Sequence, residues 1–459
     1  MKHKNVLTAV ILLVIGVVMV ATSCAKPLTV GDGQIVWNKK AKQYLLEPEA
    51  KLRVGVDNDQ WGAAIVALWD ATHPDAVGMV EYVNFGSAGG ADQITTLQGE
   101  APDVVLLIDG EVSRNDQSLL ALDKVITDAA ANFAQEPFYS GANSGTPKFI
   151  PVAYDGMAFA WNSDMLEALG IDTKTRNDDG LPVAFDTWEE IFAIARSWQA
   201  NRPVYKDKSV NIVYPMSLDE VWSGFSSLTA AGWRLFSEGD AANPGFDKTE
   251  FAGGLEFIKA ASDAKISVEA NGILTPGASM TWRWDDALNL ETAPFFLVGT
   301  WMDVKGAETK GGYDVEFGPM PTWKGNRLSP LVKTKGWAIN GFTAYPSAAH
   351  ELFRMLFDTA GLQSMVDNSS YIPALKPKSP NTPNYADPNK AQMSSAFAFN
   401  YPEPTIVLPV NTAKKAMDGY YGIGLNLELR AVWDGAKTPA QAQADLVRLY
   451  NEWFATNNQ

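Results

Sequence analysis

Residues 151–164 read PVAYDGMAFAWNSD, where two apolar runs flank a single acidic residue, Asp155, with Gly156 behind it. A strand buried on both faces reads as an unbroken apolar run, so a carboxylate in its middle needs a physical reason. Burying an unpaired charge is costly. Asp155 is therefore either paired inside the protein or open to a cleft, and the choice rests on how the surrounding segments are organised.

Upstream, strand and helix patterns alternate. LRVGV (52–56) is a short strand, and Asp57, Asn58 and Asp59 form a polar turn beyond its C-terminal end. WGAAIVALWDAT (61–72) has helical spacing, with Ile65, Leu68 and Trp69 on one face. GMVEYVNF (78–85) is a second strand that runs into GSAGGAD, a glycine-rich turn lacking the Lys-Ser/Thr ending of a phosphate loop. APDVVLLID (101–109) is a nearly continuous apolar run suited to a buried parallel strand. This order predicts an α/β sheet with helices on both faces.

The pattern restarts downstream. FDTWEEIFAIARSWQA is a helix announced by a capping box of Thr187 and Glu190. APFFLV (293–298) is a buried strand ending at Gly299, Thr300 and Trp301, and 438–454 is a closing helix. Two α/β runs in a chain of 459 residues predict two domains.

Composition narrows the partners. With 53 acidic against 37 basic residues and a net charge of −16, nucleic acid and anionic membrane surfaces are not expected. One cysteine and three histidines leave little for a zinc site or a thiol catalyst, so neither metal nor cofactor is expected. MKHK followed by the apolar run 6–21 reads as a secretory signal over 1–23, with an uncleaved anchor helix as the alternative. ATSC (21–24) resembles a bacterial lipobox, although Ala21 replaces the usual leucine. That resemblance implies a lipid on Cys24, with 24–50 as a tether of little periodicity. The expectation is an exported protein held at the outer face of a bacterial membrane by its lipid alone.

Four stretches carry a resemblance over the rest of the chain: GEAPDVVLLID (99–109), PVAYDGMAFAWNSDMLEALGI (151–171) followed by TWEEI (187–191), the run from FFLVGTW to GWAIN (295–340), and WDGAKTPAQAQADL (433–446). In this order and spacing they resemble the extracellular solute-binding proteins of ABC importers, in the maltose-binding-like sugar-binding family. The resemblance implies a two-lobed, periplasmic-binding-protein-like α/β fold with three crossover hinge segments and a central ligand cleft. The first lobe would comprise 51–153 with 322–366 and the second 157–317 with 373–459. The crossings would fall near 152–158, 315–322 and 365–373. A monomer that binds a carbohydrate and delivers it to permease subunits, without catalysis, is the implied function. A secreted glycoside hydrolase remains an alternative, since facing carboxylates and aromatics also describe its cleft, as does a sugar-sensing lipoprotein without a transport role.

Sugar hydroxyls suit carboxylate and amide acceptors, and the C–H faces of the rings bury well on flat aromatics. In open α/β sheets such groups lie beyond the C-terminal strand ends. On the family pattern Asp59 and Asp109 match hydroxyl-binding carboxylates of the first lobe; each also reads as a turn or cap residue, and Asp57 and Asn58 compete with Asp59 for the cap. Leu106 and Leu107 stand where the family has an aromatic, which suggests a different sugar. Asp155 matches a carboxylate at the first crossing, with a hinge ion pair as its structural alternative and Gly156 giving the backbone room to bend. Glu220 and Trp222 fall near a carboxylate and an aromatic of the second lobe and read equally as helix-surface and core residues; Trp301 matches a floor aromatic, and Tyr420 and Tyr421 a further stacking position. Trp282 and Trp284 have no counterpart and read as a cleft edge or as packing of a loop, with packing preferred; the segment around Tyr371 offers a further polar contact at the last crossing.

Overall fold

The computed structural model of the chain describes residues 30–31, 33–130, 147–267, 280–375, 382–400 and 413–457. The signal segment and Cys24 lie outside the described residues. Among the described residues the main sheet has eight strands: β1 Leu52–Val56, β2 Val80–Asn84, β3 Val104–Ile108, β4 Phe149–Asn162, β5 Phe295–Gly299, β6 Val315–Gly318, β7 Val332–Ile339 and β8 Ile372–Pro373. The helices that matter for the site are α1 Asp59–Thr72, α2 Gly90–Leu97, α3 Asp109–Asn115, α4 Val221–Leu228, α5 Pro346–Leu356 and α6 Ala413–Gly422.

β4 holds the sheet together. Its first half pairs antiparallel with β7, and β8 adds to it at Tyr154 and Ala153. Its second half pairs antiparallel with β5 and β6 instead. Outward from β7 come β3, β1 and β2, the last three mutually parallel as their helical crossovers require. Two large apolar cores follow from this division. One gathers Val54, Trp61, Trp69, Leu106, Val152, Trp337 and Phe353, and the other Phe159, Trp161, Trp188, Phe225, Phe257, Phe296 and Leu446. The polypeptide passes between them along β4, so the molecule has two lobes.

Local sequence signals explain several elements. Asn58 caps α1 by accepting from the Trp61 N–H at 2.9 Å, and Trp61, Ile65 and Trp69 form the buried face. The Thr187–Glu190 capping box forms, with Glu190 N–H donating to Thr187 Oγ1 at 3.3 Å and Thr187 N–H to Glu190 Oε2 at 3.1 Å. Trp284 is packed as expected, donating to the Pro215 carbonyl at 3.1 Å, whereas the Trp282 side chain lies outside the described ones.

Two boundaries differ from the sequence expectation. The segment read as tether up to residue 50 contains an antiparallel pair, Trp37–Asn38 with Gln43–Tyr44, packed on α5. Glu47 accepts from the Ser347 and Ala348 N–H groups at 2.7 and 2.8 Å, which satisfies the otherwise unpaired start of α5. The second crossing also comes later than 315–322. The hairpin of Thr322–Trp323 and Asn326–Arg327 stays on the second lobe, where Trp323 meets Phe257 edge-on at 5.5 Å and Lys324 N–H donates to Glu189. Leu328 and Leu331 are buried in the same core, and only β7 carries the chain back.

Glu351 anchors the N-terminal pair. It is fully buried, accepts from the Tyr44 N–H at 2.7 Å and from Arg354 Nη2 at 2.6 Å, and lies 3.2 Å from His73 Nε2. Burial alone would raise its pKa, but the His73 and Arg354 contacts outweigh this and hold it below the ordinary glutamate value. Its stabilisation is therefore complete above the unfolded value of about 4.3 and is lost as the pH falls through the folded one. Replacing Glu351 with Ala is expected to cost about 3–5 kcal/mol by stranding Arg354. Denaturant titrations between roughly pH 7 and pH 3 should show Glu351→Gln with a flatter acid limb than the native chain.

Candidate ligand cleft at the crossing

Where β4 changes partners, a cavity of about 290 Å³ opens between the lobes. It is lined by Asp155, Gly156 and Met157 of β4, Leu331 just before β7 and Lys333 on it, and Trp222, Trp301 and Tyr421 of the second lobe. Its size is at the lower end for small-molecule sites, and its lining of aromatics with a few polar groups is of the usual kind.

Two glycines shape it. A Cβ on Gly156 would lie 2.8 Å from Val332 Cγ2 and 3.2 Å from the Leu331 carbonyl, so this glycine serves the close approach of β4 and β7, not a bend. A Cβ on Gly299 would lie 2.4 Å from the Trp301 ring, so its absence lets the indole fold back over the end of β5. Thr300 N–H then donates to the Gly156 carbonyl at 3.0 Å, fixing the Trp301 turn directly to β4. Trp301 remains 46% exposed, with Trp222 at 5.9 Å and a 60° tilt. Glu220 occupies the N-cap position of α4, its carbonyl accepting from the Ser223 and Gly224 N–H groups at 3.1 Å; it sets the start of the helix that carries Trp222 but does not line the cavity.

Of the two tyrosines on α6, Tyr421 lines the cavity at 37% exposure. Tyr420 is fully buried against Phe225 at 6.3 Å, its hydroxyl 3.4 Å from the Val221 carbonyl, so it packs the second lobe. Adjacent helical residues point about 100° apart, and the core takes one of them.

The first-lobe carboxylates are arranged differently from the expectation. Asp59, exposed at the start of α1, accepts from Asn84 Nδ2 at 2.6 Å and from the Tyr82 hydroxyl on β2, the edge strand. These bonds hold its pKa below the ordinary value, and it is not among the residues lining the cavity. Asp109 accepts from the Thr334 N–H and hydroxyl, both at 3.0 Å, and from the Gly110 N–H at 2.6 Å. It thereby ties the head of α3 to β7 beside Lys333; burial pushes its pKa up against those bonds.

Asp57, which sequence reasoning passed over as a site residue, reaches the crossings. It accepts from Lys335 Nζ at 3.0 Å and from the hydroxyls of Tyr371 and Ser87, and Lys335 also donates to the Tyr371 hydroxyl at 2.8 Å. Burial works to raise the Asp57 pKa, but Lys335 and these hydrogen bonds bring it below the ordinary value, while the Tyr371 hydroxyl is held well above its own. One first-lobe loop, the second crossing and the third crossing thus meet in a single network. Lys333 and Lys335 were also missed, although the alternation in VKTKG carries the signal: on β7 the lysines are half-buried between buried Val332, Thr334 and Gly336.

The sequence of the chain matches the family described as bacterial extracellular solute-binding protein over residues 64–392. No curated protein sequence matches it. Among solved structures, it is similar to a cyclo/maltodextrin-binding protein complexed with maltotetraose, at 18% identity over 90% of this chain and 99% of that one, with a TM-score of 0.66. It is also similar to the maltose-binding periplasmic protein of Listeria monocytogenes in complex with maltose, at 14% identity, 89% and 99% coverage and a TM-score of 0.67. A third likeness is the extracellular solute-binding protein of Staphylococcus aureus in complex with maltose, at 16% identity, the same 89% and 99% coverage and a TM-score of 0.67. At these identities the structural likeness speaks for the two-lobed fold, and the sequence match, which spans most of the chain, speaks for descent: this chain belongs to the bacterial extracellular solute-binding protein family.

Proposed function

We propose that the protein is the sugar-binding component of an ABC importer, capturing a sugar or oligosaccharide between its lobes and presenting it to the permease. The observation that carries this reading is the cavity itself, in which one carboxylate at the crossing, Asp155, faces three aromatics, Trp222, Trp301 and Tyr421. That combination meets both needs of a sugar, acceptors for its hydroxyls and flat surfaces for its C–H faces. The proteins of like fold that were solved with maltose or maltotetraose support the same class of ligand.

Binding favours the closed form because only that form contacts the ligand from both lobes. A binding role fits better than hydrolysis: a glycosidase needs two carboxylates facing the bond to be cleaved, and Asp109 is already engaged by Thr334 and Gly110. The family is extracellular, and the lipobox-like ATSC supports attachment of the exported chain through a lipid on Cys24. The working unit would be a monomer, with Asp59, Asp109 and Glu220 supporting the site from outside the cavity.

Calorimetry against maltose, cellobiose, lactose, xylobiose and maltotetraose tests the reading; binding of none of them sinks it. Trp301→Ala is expected to weaken the bound sugar by about 2 kcal/mol, roughly 30-fold, with little change in stability because the ring is half exposed. Tyr420→Ala should do the reverse, lowering stability by about 3–5 kcal/mol in denaturant titrations. For Asp155→Ala, affinity should fall at least about 10-fold while the thermal midpoint of the free protein moves by no more than about 2 °C. An unchanged affinity with a large loss of stability would return Asp155 to a purely structural role.

A further inference from the structure

Lys333 and Asp155 are opposed residues of β7 and β4, paired Cα to Cα in the antiparallel register. Such partners share one face of the sheet, with Cβ atoms about 4.5–5.5 Å apart. Opposite charges placed this way ordinarily close into an ion pair, yet these two do not. Among the described residues neither side chain makes a hydrogen bond or an ion pair, and both line the cavity. Lys333 Nζ instead stands 5.9 Å from the centre of the Tyr421 ring. The contrast with Lys335, two residues along the same strand face, is sharp. That lysine is fully occupied by Asp57 at 3.0 Å and the Tyr371 hydroxyl at 2.8 Å. One lysine of the second crossing is locked into the scaffold, and the other is held toward the ligand space.

Resting on the sugar-binding reading, we infer that Asp155 and Lys333 together read two neighbouring oxygens of the ligand and thereby determine its specificity. The carboxylate is an acceptor only and the ammonium a donor only. A hydroxyl that donates to Asp155, next to an oxygen that accepts from Lys333, satisfies both with charge-assisted hydrogen bonds. An amino group at the second position brings a donor, cationic when protonated, against Lys333. Loss of that oxygen leaves the lysine without its partner in a half-closed space, the situation in which a polar site discriminates most strongly. The aromatics cannot make this distinction, because stacking reads the C–H face and not the substituent. The selected class is therefore neutral sugars with a vicinal diol, or a hydroxyl beside another oxygen, in preference to amino sugars and deoxy sugars.

The test is calorimetry with wild-type, Lys333→Met and Lys333→Arg proteins. The probes are the tightest binder among maltose, cellobiose, lactose and xylobiose, and the disaccharide of glucosamine. Lys333→Met is expected to bind the neutral sugar about 10- to 100-fold more weakly, with the melting temperature of the free protein unchanged to within about 2 °C. Lys333→Arg, which keeps the charge and donors, should recover most of the affinity. The glucosamine disaccharide should bind the wild type at least about 10-fold more weakly than the neutral sugar, and that ratio should shrink in Lys333→Met. Neutral-sugar affinity unaltered in Lys333→Met overturns the inference alone, as does a preference ratio that stays the same. A wild type that binds none of the neutral sugars overturns the sugar-binding reading and this inference with it.

Discussion

One strand serves two cores. β4 runs through both lobes without a break, its first half hydrogen-bonded to β7 and its second to β5 and β6. Each half must therefore be apolar, since each lies inside a packed lobe, and the burial of Phe149, Ile150, Val152, Phe159 and Trp161 follows. At the exchange of partners Asp155 is the one residue of β4 that is not buried. Asp155 and Gly156 stand there, the one facing the gap and the other letting Val332 approach. A carboxylate costs least where it can reach a cavity, so the connectivity that makes two lobes also makes room for a polar site between them.

The two sides of the gap bring different chemistry. From the first lobe and the crossings come Asp57, Ser87, Asp109, Lys335 and Tyr371, hydrogen-bonded mostly to one another. From the second lobe come Trp222, Trp301 and Tyr421, which expose ring surface. The first set fixes the crossing segments to the ends of β1 and β3, at the C-terminal strand ends where open α/β sheets place their ligands. Under the proposed function, the polar network is therefore scaffold more than contact. It holds β7 so that Lys333 and Asp155 keep their register, and the rings of the other lobe complete the enclosure.

What was legible in the sequence tracks what is local. Apolar runs and capping residues depend on neighbours a few positions away, and so the parallel strands, the Thr187–Glu190 box and the double role of 151–164 were readable. Asp155, Trp222, Trp301 and Tyr421 were also named, and they share one cavity. The choice between Asp57 and Asp59 turns on which way a three-residue turn faces, and that between Tyr420 and Tyr421 on the rotation of a helix; neither leaves a trace in the pattern. Lys333 acquires meaning only from its pairing with Asp155, a contact between residues far apart in sequence. The strands Trp37–Asn38 and Gln43–Tyr44 are too short to show a period, and Glu47 finds the start of α5 some 300 positions away. The late second crossing has the same origin, because only the packing of Trp323 on Phe257 assigns the hairpin to its lobe.

The connectivity also bears on how the residues that line the cavity are held relative to one another. Thr300 is hydrogen-bonded to Gly156, and Gly299 pairs with Met157, so the turn bearing Trp301 is fastened to the crossing strand itself. Lys333 is fastened to the same strand through its pairing with Asp155. Asp155, Lys333 and the Trp301 turn are therefore linked to one another through the backbone of β4. Trp222 and Tyr421 ride instead on α4 and α6. Under the proposed function, a ligand would meet one stacking surface, one acceptor and one donor on this strand-linked set, with Trp222 and Tyr421 adding the remaining rings. On that reading selectivity would reside in the strand-linked set and closure would add affinity, because a rigid constellation discriminates without spending binding energy on its own ordering.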